Sequence, residues 1–269
     1  MSAFLETAQK AAFEAGKILI DNFGKVSKED IRKKAATDFI SYVDETSERK
    51  IIETIQQSFP EHTVFAEEGG MVEKKSDYTW IIDPLDGTTN YLRSVPIFAI
   101  SIALKYKDET LVGVVYDPVH DDLFYAEKGH GTFLNDKSVQ VSRKANLNES
   151  FIATGFPFKS KHKLDGYLSV FKGIFNSCIG IRRMGAAAID LAYVACGRFE
   201  GFWEIGLAPW DIAAGRILIT EAGGRISDFW NTEDFKDSSY ILATNDAIHQ
   251  ELGGIIREEF PFYKLLSED

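Results

Sequence analysis

The first residues of the chain carry apolar side chains at helical spacing. These positions are Leu5, Ala8, Ala12, Ala15, Leu19 and Phe23, and Gly24 follows them. Residues three or four apart share one face of a helix, and glycine is a common helix end. The pattern predicts an amphipathic helix over residues 3–23. A second helix is predicted over about Glu45–Ser58, where Pro60 ends it.

The rest of the chain alternates between strand and helix patterns. Runs rich in β-branched and aromatic residues predict strands at Thr79–Asp83, Ile97–Tyr106, Leu111–Tyr116, Leu123–Ala126, Phe199–Glu204 and Tyr240–Ala243. Helices are predicted at Leu164–Phe175, Gly185–Ala195, Pro209–Glu221 and Ala247–Glu258. Polar turns at Lys107–Glu109 and Asn135–Lys137 indicate antiparallel neighbours. We find no repeat or long linker, so we expect one α+β domain over residues 1–269, built in layers.

Composition narrows the classes of function. The chain has 30 basic and 41 acidic residues and a formal net charge of −11, so nucleic acid and anionic membranes are not expected as partners. Cations bound to carboxylates can reverse the field locally and admit an anionic substrate. The two cysteines, Cys178 and Cys196, fit no disulfide framework, and the N-terminal residues lack a signal-peptide pattern. We therefore expect reduced thiols and a cytoplasmic protein.

Two carboxylates end the strand predicted at Thr79–Asp83. Asp83 and Asp86 flank Pro84 and precede Gly87, and these residues allow a sharp turn that brings both carboxylates together. Converging acids need a cation, and oxygen ligands suit Mg²⁺, which leaves positions for water and phosphate. The N–H groups after Gly87 are candidates to hold a phosphate oxygen. A surface turn is the alternative interpretation, because Pro, Asp, Gly and Asn are common turn formers.

Two other acids strengthen the metal hypothesis. Glu67 follows an apolar run, and Asp211 stands near the start of a predicted helix. Taken singly, they also fit a loop carboxylate and a helix cap. With Asp83 and Asp86, and with the histidines elsewhere, they favour an all-oxygen site over a zinc site.

The Asp-Gly-Thr element at Asp86 is similar to the signature of haloacid-dehalogenase-type phosphatases. That signature has a phosphorylated Asp two residues before the second Asp. Here Pro84 occupies that position, and Asp83 lies three residues back. A phospho-aspartate mechanism therefore lacks its nucleophile.

The ordered motifs resemble those of the inositol monophosphatase family, including bacterial inositol-1-monophosphatases. The motifs are Lys34, Asp38 and Asp44 at matching spacing, Glu67–Gly69, Asp83–Asn90, Ala153–Phe158, Met184–Ala188 and Trp210–Gly215. The likeness runs from the first helix to Gly224. It implies a layered αβαβα sandwich with mainly antiparallel sheets, a homodimer, dependence on Mg²⁺ and inhibition by Li⁺.

The resemblance also implies roles for individual residues. A first Mg²⁺ is expected on Glu67, Asp83 and the carbonyl of Leu85, a second on Asp83, Asp86 and Asp211, and a third, weaker one on Glu67 and waters. Mn²⁺ has overlapping ligand preferences and can replace Mg²⁺. Catalytic roles are implied for Asp44, Glu67 and Thr88. Substrate contacts are implied for Asp86, Gly87, Thr88, Gly185, Ala186, Ala187, Glu204 and Asp211.

Together these features predict Mg²⁺-dependent hydrolysis of inositol monophosphate, by direct attack of an activated water. Fructose 1,6-bisphosphate, NADP and bisphosphate nucleotides stay open as substrates, although nucleotidases typically have a charged pair where this chain has Thr89–Asn90. A chiefly regulatory binding protein is the alternative from another class. Arg182 and Arg183 fit contacts with a second phosphate, a dimer partner or the fold itself, and they stay outside the predicted site.

Overall fold

The computed structural model describes residues 1–27, 31–35, 38–231 and 239–260. Its helices are α1 (Ala3–Asn22), α2 (Tyr42–Ser58), α3 (Thr88–Leu92), α4 (Leu164–Phe175), α5 (Ala187–Ala195), α6 (Pro209–Glu221) and α7 (His249–Glu259). Its strands in the first half are β1 (Ile31–Ala35), β2 (Asp38–Ser41), β3 (Thr63–Ala66), β4 (Gly70–Val72), β5 (Tyr78–Asp86), β6 (Ala99–Tyr106), β7 (Glu109–Asp117), β8 (Asp122–Glu127), β9 (Thr132–Leu134) and β10 (Lys137–Val139). The second half adds β11 (Phe151–Thr154), β12 (Gly180–Arg182), β13 (Gly201–Ile205), β14 (Arg225–Ser227) and β15 (Tyr240–Thr244).

Most strands belong to two large sheets. The eight-stranded sheet has the order β10-β9-β8-β7-β6-β5-β3-β4, and its pairs are antiparallel except for the parallel pair β3 and β5. The five-stranded sheet has the order β12-β11-β13-β15-β14, and β11 is parallel to both of its neighbours. The expectation of mainly antiparallel sheets is confirmed, with the parallel pairs concentrated in the smaller sheet.

Alternation along the strands produces the layers. In β6, Ala99 and Ala103 pack towards α5 and α6, whereas Ile100 and Ile102 pack on the opposite side with α1 and α2. The core around α5 and α6 also takes Phe202 of β13 from the smaller sheet, so these helices lie between the two sheets. The outer face of the smaller sheet packs on α4 and α7. The predicted αβαβα arrangement is therefore confirmed.

Two element boundaries differ from the prediction in ways that matter for the site. α2 begins at Tyr42 because the Ser41 side chain caps it, so Asp44 lies within its first turn and not just before the helix. β5 runs through Pro84 and continues to Asp86, with an irregularity in its pairing with β6 between Asp83 and Asp86. The bend predicted after Asp83 is thus a bulge inside a strand.

Two further expectations concern membranes and thiols. No helix of the described residues is long and apolar enough to cross a membrane. Cys178 and Cys196 are free, and burial raises the pKa of each thiol. A raised pKa reduces the thiolate population at neutral pH, which agrees with inert cysteines.

Candidate active site

Most of the predicted site residues line one cleft of about 710 Å³. From the prediction it brings together Glu67, Asp83, Leu85, Asp86, Gly87, Thr88, Gly185, Ala186, Ala187, Glu204 and Asp211. The ends of β3 and β5 carry one group of acids, the start of α6 carries Asp211, and β13 carries Glu204. The side chains of Lys34 and Asp38 lie outside the described part of the structure.

Asp83 is the most enclosed acid of the cleft. It is 2% exposed, and its Oδ1 accepts a hydrogen bond from the Leu85 N–H at 3.0 Å. Burial raises the pKa of Asp83 well above its usual value, and the nearby charges of Glu67, Asp86 and Asp211 raise it further. A carboxylate surrounded by acids is stable only with a proton or with a cation.

Asp44 and Thr88 form a hydrogen-bonded pair beside the bulge. The Thr88 hydroxyl lies 3.2 Å from Asp44 Oδ1 and 3.0 Å from the Leu85 carbonyl oxygen. Asp44 Oδ2 accepts hydrogen bonds from the N–H and the hydroxyl of Ser41. Burial raises the pKa of Asp44, and the bonds from Ser41 oppose that rise. Asp44 does not itself line the cleft, so it reaches a ligand through Thr88.

The carboxyl groups of Asp86 and Asp211 each lie at the start of a helix between the sheets, although Asp86 itself ends strand β5. Asp86 Oδ2 accepts the Ala188 N–H of α5 at 2.6 Å, and Asp211 Oδ2 accepts the Ala208 N–H before α6 at 2.7 Å. Burial and the charge of Asp211 raise the pKa of Asp86 to about 7. A carboxylate is stabilised at a helix N-terminus, so the fold holds both acids in place without a cation.

The loop that carries Glu67 is held by a buried acid of α2. Glu48 is 6% exposed, and its Oε2 accepts the Glu68 N–H at 2.8 Å. A Cβ on Gly69 would come within 2.8 Å of Glu48 Oε1, so a larger residue there would displace the Glu48 carboxyl group. Glu48 therefore fixes the backbone next to Glu67.

The donor set fits Mg²⁺ in chemistry. It consists of carboxylates and carbonyl oxygens, the hard ligands that this ion takes. Within residues 1–27, 31–35, 38–231 and 239–260, no three His, Cys, Asp or Glu side chains are already arranged to hold an ion. Asp83, Asp86 and Asp211 each accept a backbone N–H on one oxygen, which fixes the direction of each carboxyl group.

Glycines shape the part of the cleft next to the bulge. Gly87 has φ +88°, and a Cβ there would lie 3.0 Å from the Ile97 carbonyl oxygen and 3.3 Å from the Gly185 carbonyl oxygen. The Asn90 side-chain amide donates to the carbonyl oxygens of Ile97 and Met184, both at 2.9 Å. The loop before α5 is thereby fastened to α3 and to the bulge.

Glu204 lies on the opposite wall, against Gly155. A Cβ on Gly155 would overlap the Glu204 carboxyl group, so the carboxylate occupies space that only glycine leaves. Burial and the charge of Asp211 raise the pKa of Glu204 to about 8, while Arg183 and Lys159 oppose the rise. This carboxyl group can accept or donate hydrogen bonds to a ligand hydroxyl near neutral pH.

Sequence reasoning missed two basic residues of the cleft and one buried acid near it. Arg183 and Lys159 line it, although the prediction left both outside the site. Asp190 of α5 is 1% exposed, and its Oδ1 lacks a hydrogen-bond partner in the described residues. The available signal for Asp190 was an acid inside an alanine-rich apolar helix, because such a residue is rarely buried without a purpose.

Comparisons with known proteins agree with this geometry. A profile of the inositol monophosphatase family matches residues 1–260. The chain is 42% identical over 260 residues to "Nus factor SuhB" of Escherichia coli K12, which covers 96% of this chain and 97% of the relative. It is 43% identical over 249 residues to "Fructose-1,6-bisphosphatase/inositol-1-monophosphatase" of Aquifex aeolicus, which covers 93% of each chain.

A solved structure of an inositol monophosphatase has the same fold as this chain. The inositol monophosphatase of Anabaena sp. PCC 7120 superposes with a TM-score of 0.87 at 37% identity, covering 97% of this chain and 98% of that one. The matches in sequence and in fold each extend over nearly the whole chain. The chain belongs to the inositol monophosphatase family.

Proposed function

We propose that this protein is a Mg²⁺-dependent phosphatase of small phosphate monoesters, with inositol monophosphate as its leading substrate. The observation that carries the proposal is Asp83, which is buried among Glu67, Asp86 and Asp211 and has its pKa raised by their charges. Buried carboxylates that lie close together repel one another unless a cation binds between them. Such a cluster therefore indicates a cation site. Mg²⁺ is the ion generally used by the family, and the oxygen donors here suit it.

The chain's own residues supply the remaining parts of a hydrolytic site. When bound, Mg²⁺ lowers the pKa of nearby water and offsets the charge of the phosphate. The Thr88 hydroxyl can donate to Asp44 Oδ1, at 3.2 Å, and this leaves its oxygen as an acceptor for a water hydrogen. Asp44 and Thr88 would thus orient the attacking water. The N–H groups following Gly87 would donate to phosphoryl oxygens.

The other wall of the cleft suits a polyhydroxylated alcohol. Glu204 stands beside Gly155, and the loop Gly185–Ala187 borders the same space. A carboxyl group with a pKa near 8 exchanges hydrogen bonds with vicinal hydroxyls more readily than an apolar wall does. These contacts favour cyclitol and sugar phosphates over flat aromatic esters.

The test is phosphate release by purified protein from inositol 1-phosphate, fructose 1,6-bisphosphate, NADP and 3′-phosphoadenosine 5′-phosphate. Each ester is assayed with Mg²⁺, with EDTA, with Mn²⁺, and with Mg²⁺ plus Li⁺. We expect release from inositol 1-phosphate that EDTA abolishes, Mn²⁺ restores in part and Li⁺ inhibits. Preference for another ester would support the metal-dependent hydrolysis but assign a different substrate. If no ester released phosphate in a metal-dependent way, the proposal would be refuted.

A second candidate function is a role as an interacting factor. Relatives at 42% identity are called Nus factors, and helix α4 and the residue just before strand β12 present large exposed apolar side chains. These are Leu164, Leu168, Phe175 and Ile179. Exposed apolar groups of this kind favour association with another protein. The homodimer expected from the resemblance stays a prediction, which light scattering after size-exclusion chromatography would test.

Replacing Asp83 by Asn separates the two functions in cells. Loss of the cellular phenotype with a folded protein would assign that phenotype to catalysis. A phenotype that survives Asp83→Asn but is lost in Leu168→Glu with normal phosphatase activity would assign it to the exposed apolar surface.

A further inference from the structure

Helix α2 carries three buried polar side chains in its first two turns. They are Asp44, Ser47 and Glu48. Residues three and four apart lie on one face of a helix, so these side chains project from the same side of α2. A buried polar side chain needs a hydrogen-bond partner to replace the water it loses. The partners of these three belong to segments that carry predicted cation ligands.

Ser47 holds a peptide bond inside the bulge of β5. Its Oγ donates to the Pro84 carbonyl oxygen at 2.8 Å. The N–H of the same peptide bond is that of Leu85, and it donates to Asp83 Oδ1 at 3.0 Å. A peptide unit is planar, so a contact that fixes its carbonyl group also fixes its N–H. Ser47 therefore orients the Asp83 carboxyl group through one peptide bond.

The bulge makes this contact from α2 necessary. In the register of β5 with β6, Asp83 pairs with Ser101 and Asp86 pairs with Ala99, so the two residues between the acids have no partner residue in β6. Residues in a bulge lose the ladder hydrogen bonds that fix the rest of a strand. The hydroxyl of Ser47 replaces one of those bonds at the Pro84 carbonyl oxygen.

Glu48 holds the segment that carries Glu67. The Glu67 N–H donates to the Ile82 carbonyl oxygen at 3.2 Å, and the next N–H, that of Glu68, donates to Glu48 Oε2 at 2.8 Å. The peptide bonds on both sides of Glu67 are thus fixed, one by β5 and the other by α2. Neither Ser47 nor Glu48 lines the cleft, so both act on the cleft acids from behind.

Thr54, two turns after Ser47, provides an internal comparison on the same helix. It is also buried, and its hydroxyl lies 2.7 Å from Glu14 Oε2 of α1 and 2.9 Å from the Lys50 carbonyl oxygen. Neither of these partners lines the cleft. Thr54 therefore joins α2 to another helix, whereas Ser47 and Glu48 join α2 to the segments of the cleft acids.

We propose that Ser47 and Glu48 are positioning residues that hold Asp83 and Glu67 in the arrangement that binds a divalent cation, which rests on the phosphatase function proposed above. Carboxylates of like charge turn away from one another unless other contacts restrain them. Restraint by α2 leaves less to reorganise when the cation binds. Loss of a contact that orients a metal ligand lowers metal affinity about 10-fold to 100-fold in other proteins.

The test measures cation binding in Ser47→Ala, Glu48→Met and the matched control Thr54→Val. Mn²⁺ is the probe, because its ligand preferences overlap with those of Mg²⁺ and its paramagnetic resonance signal reports the free ion. We expect Ser47→Ala and Glu48→Met to raise the Kd for Mn²⁺ about 10-fold or more. Thr54→Val should leave this Kd unchanged, although it also removes a buried hydroxyl from α2. Thermal unfolding in EDTA shows that each variant is folded at the temperature of the titration.

The variant Glu48→Gln separates positioning from charge. Its amide oxygen can accept the Glu68 N–H as the carboxylate does, but it offers no charge to a cation. Glu48→Gln should therefore bind Mn²⁺ much more tightly than Glu48→Met. In phosphatase assays, raising Mg²⁺ should restore the rate of Ser47→Ala, because the expected ligands are all still present. The change should thus appear in the KM for Mg²⁺ and not in kcat.

Three results would overturn the inference. They are an unchanged Kd in both Ser47→Ala and Glu48→Met, an equal rise of the Kd in Thr54→Val, and equal losses in Glu48→Gln and Glu48→Met. The last result would mean that Glu48 acts on the cation through its charge. If no ester were hydrolysed, the proposed function would fail, whereas weaker Mn²⁺ binding in Ser47→Ala and Glu48→Met alone would still support positioning by α2.

Discussion

The protein contains two kinds of buried acid. Glu200 is 2% exposed, and its oxygens meet the Phe151 N–H at 2.6 Å and Lys144 Nζ at 3.4 Å. Asp117 is 1% exposed and accepts the N–H groups of Val119 and His120. Asp83 is equally buried but is surrounded by other acids. Glu200 and Asp117 are matched with hydrogen-bond donors, and Glu200 also with a cation, whereas the charges that act on Asp83 are those of other acids.

The two kinds of buried acid are expected to contribute differently to stability. A buried charge is tolerated when donors or an opposite charge replace the water it loses. Glu200 and Asp117 satisfy that condition within the chain, whereas among the described residues the hydrogen bond that Asp83 accepts comes from the Leu85 N–H. Replacing the carboxylate of Glu200 should therefore lower the stability of the fold, whereas replacing that of Asp83 should not.

The largest expected effect is on catalysis by Asp83→Asn. The amide keeps the shape and removes the charge, so Mg²⁺-dependent phosphate release should fall by about 10³-fold or more. Stability in EDTA should stay equal or rise, because the repulsion from Glu67, Asp86 and Asp211 is relieved. Steady-state kinetics and thermal unfolding measure the two quantities on the same preparation. If the variant retained activity, or lost it because it unfolds, the distinction between Asp83 and the acids that stabilise the fold would be wrong.

The next effect concerns His249, which is buried and hydrogen-bonded to two hydroxyl groups. Its ring nitrogens lie 2.9 Å from the Ser227 and Thr244 hydroxyls, and burial, with the charge of Arg225, lowers its pKa to about 4. Above pH 6.5 the ring is neutral in both states, so the full stability is present. As pH falls from 6.5 to 4 only the unfolded chain takes up the proton, and stability falls by up to about 3 kcal/mol.

Denaturant unfolding between pH 7.5 and 4 measures this loss. Other acids titrate in the same range, so the informative quantity is the difference between the wild type and His249→Gln. The variant should be less stable at neutral pH and less sensitive to acid. Parallel pH profiles for the two proteins would show that His249 does not take part.

A smaller effect is expected from Glu200→Ala. The change leaves the Phe151 N–H without its acceptor and Lys144 without its partner, and should destabilise the fold by about 2 kcal/mol. Phosphatase activity per folded molecule should be unchanged, since Glu200 does not line the cleft. Asp83→Asn should thus reduce activity without reducing stability, whereas Glu200→Ala should reduce stability without reducing activity. Equal effects on activity would remove the distinction between the two kinds of acid.

The smallest effect is the stabilisation of the wild type by Mg²⁺. A ligand at ten times its dissociation constant stabilises the folded state by about 1.4 kcal/mol. Thermal unfolding with and without Mg²⁺ should show this gain in the wild type and in Glu200→Ala. Asp83→Asn should show less of it, because the variant lacks one of the expected ligands. An equal gain in Asp83→Asn would place the ion elsewhere.

Local patterns were sufficient for the long elements of the fold. The limits of α6 follow from Pro209 at its start and the two glycines after Glu221. Short strands such as β9 and β12 were missed, since three residues carry too little alternation to identify a strand. The layered order of the sheets came from the resemblance and not from these patterns.

Some features of the candidate site could likewise be predicted from local sequence, and others could not. The acids of residues 83–90 were accessible to sequence reasoning because they lie in one short segment. The bulge that replaces the predicted bend depends on pairing with β6, and the position of Arg183 depends on contact with Phe158. Both are tertiary effects that no local pattern records. The assignment of individual metal ligands stays a prediction until a bound ion is observed.

The bond from the Ala188 N–H to Asp86 joins residues 102 positions apart. Ser101 donates to the Trp210 carbonyl oxygen across a separation of 109. A ribosome makes about 5–20 residues per second, so Asp86 is synthesised roughly 5–20 s before its helix partner. Throughout that interval the first half of the chain exposes an apolar sheet face without α5 and α6 to cover it. Because the site lies where distant halves of the chain meet, burial of that face waits until α5 and α6 have been synthesised.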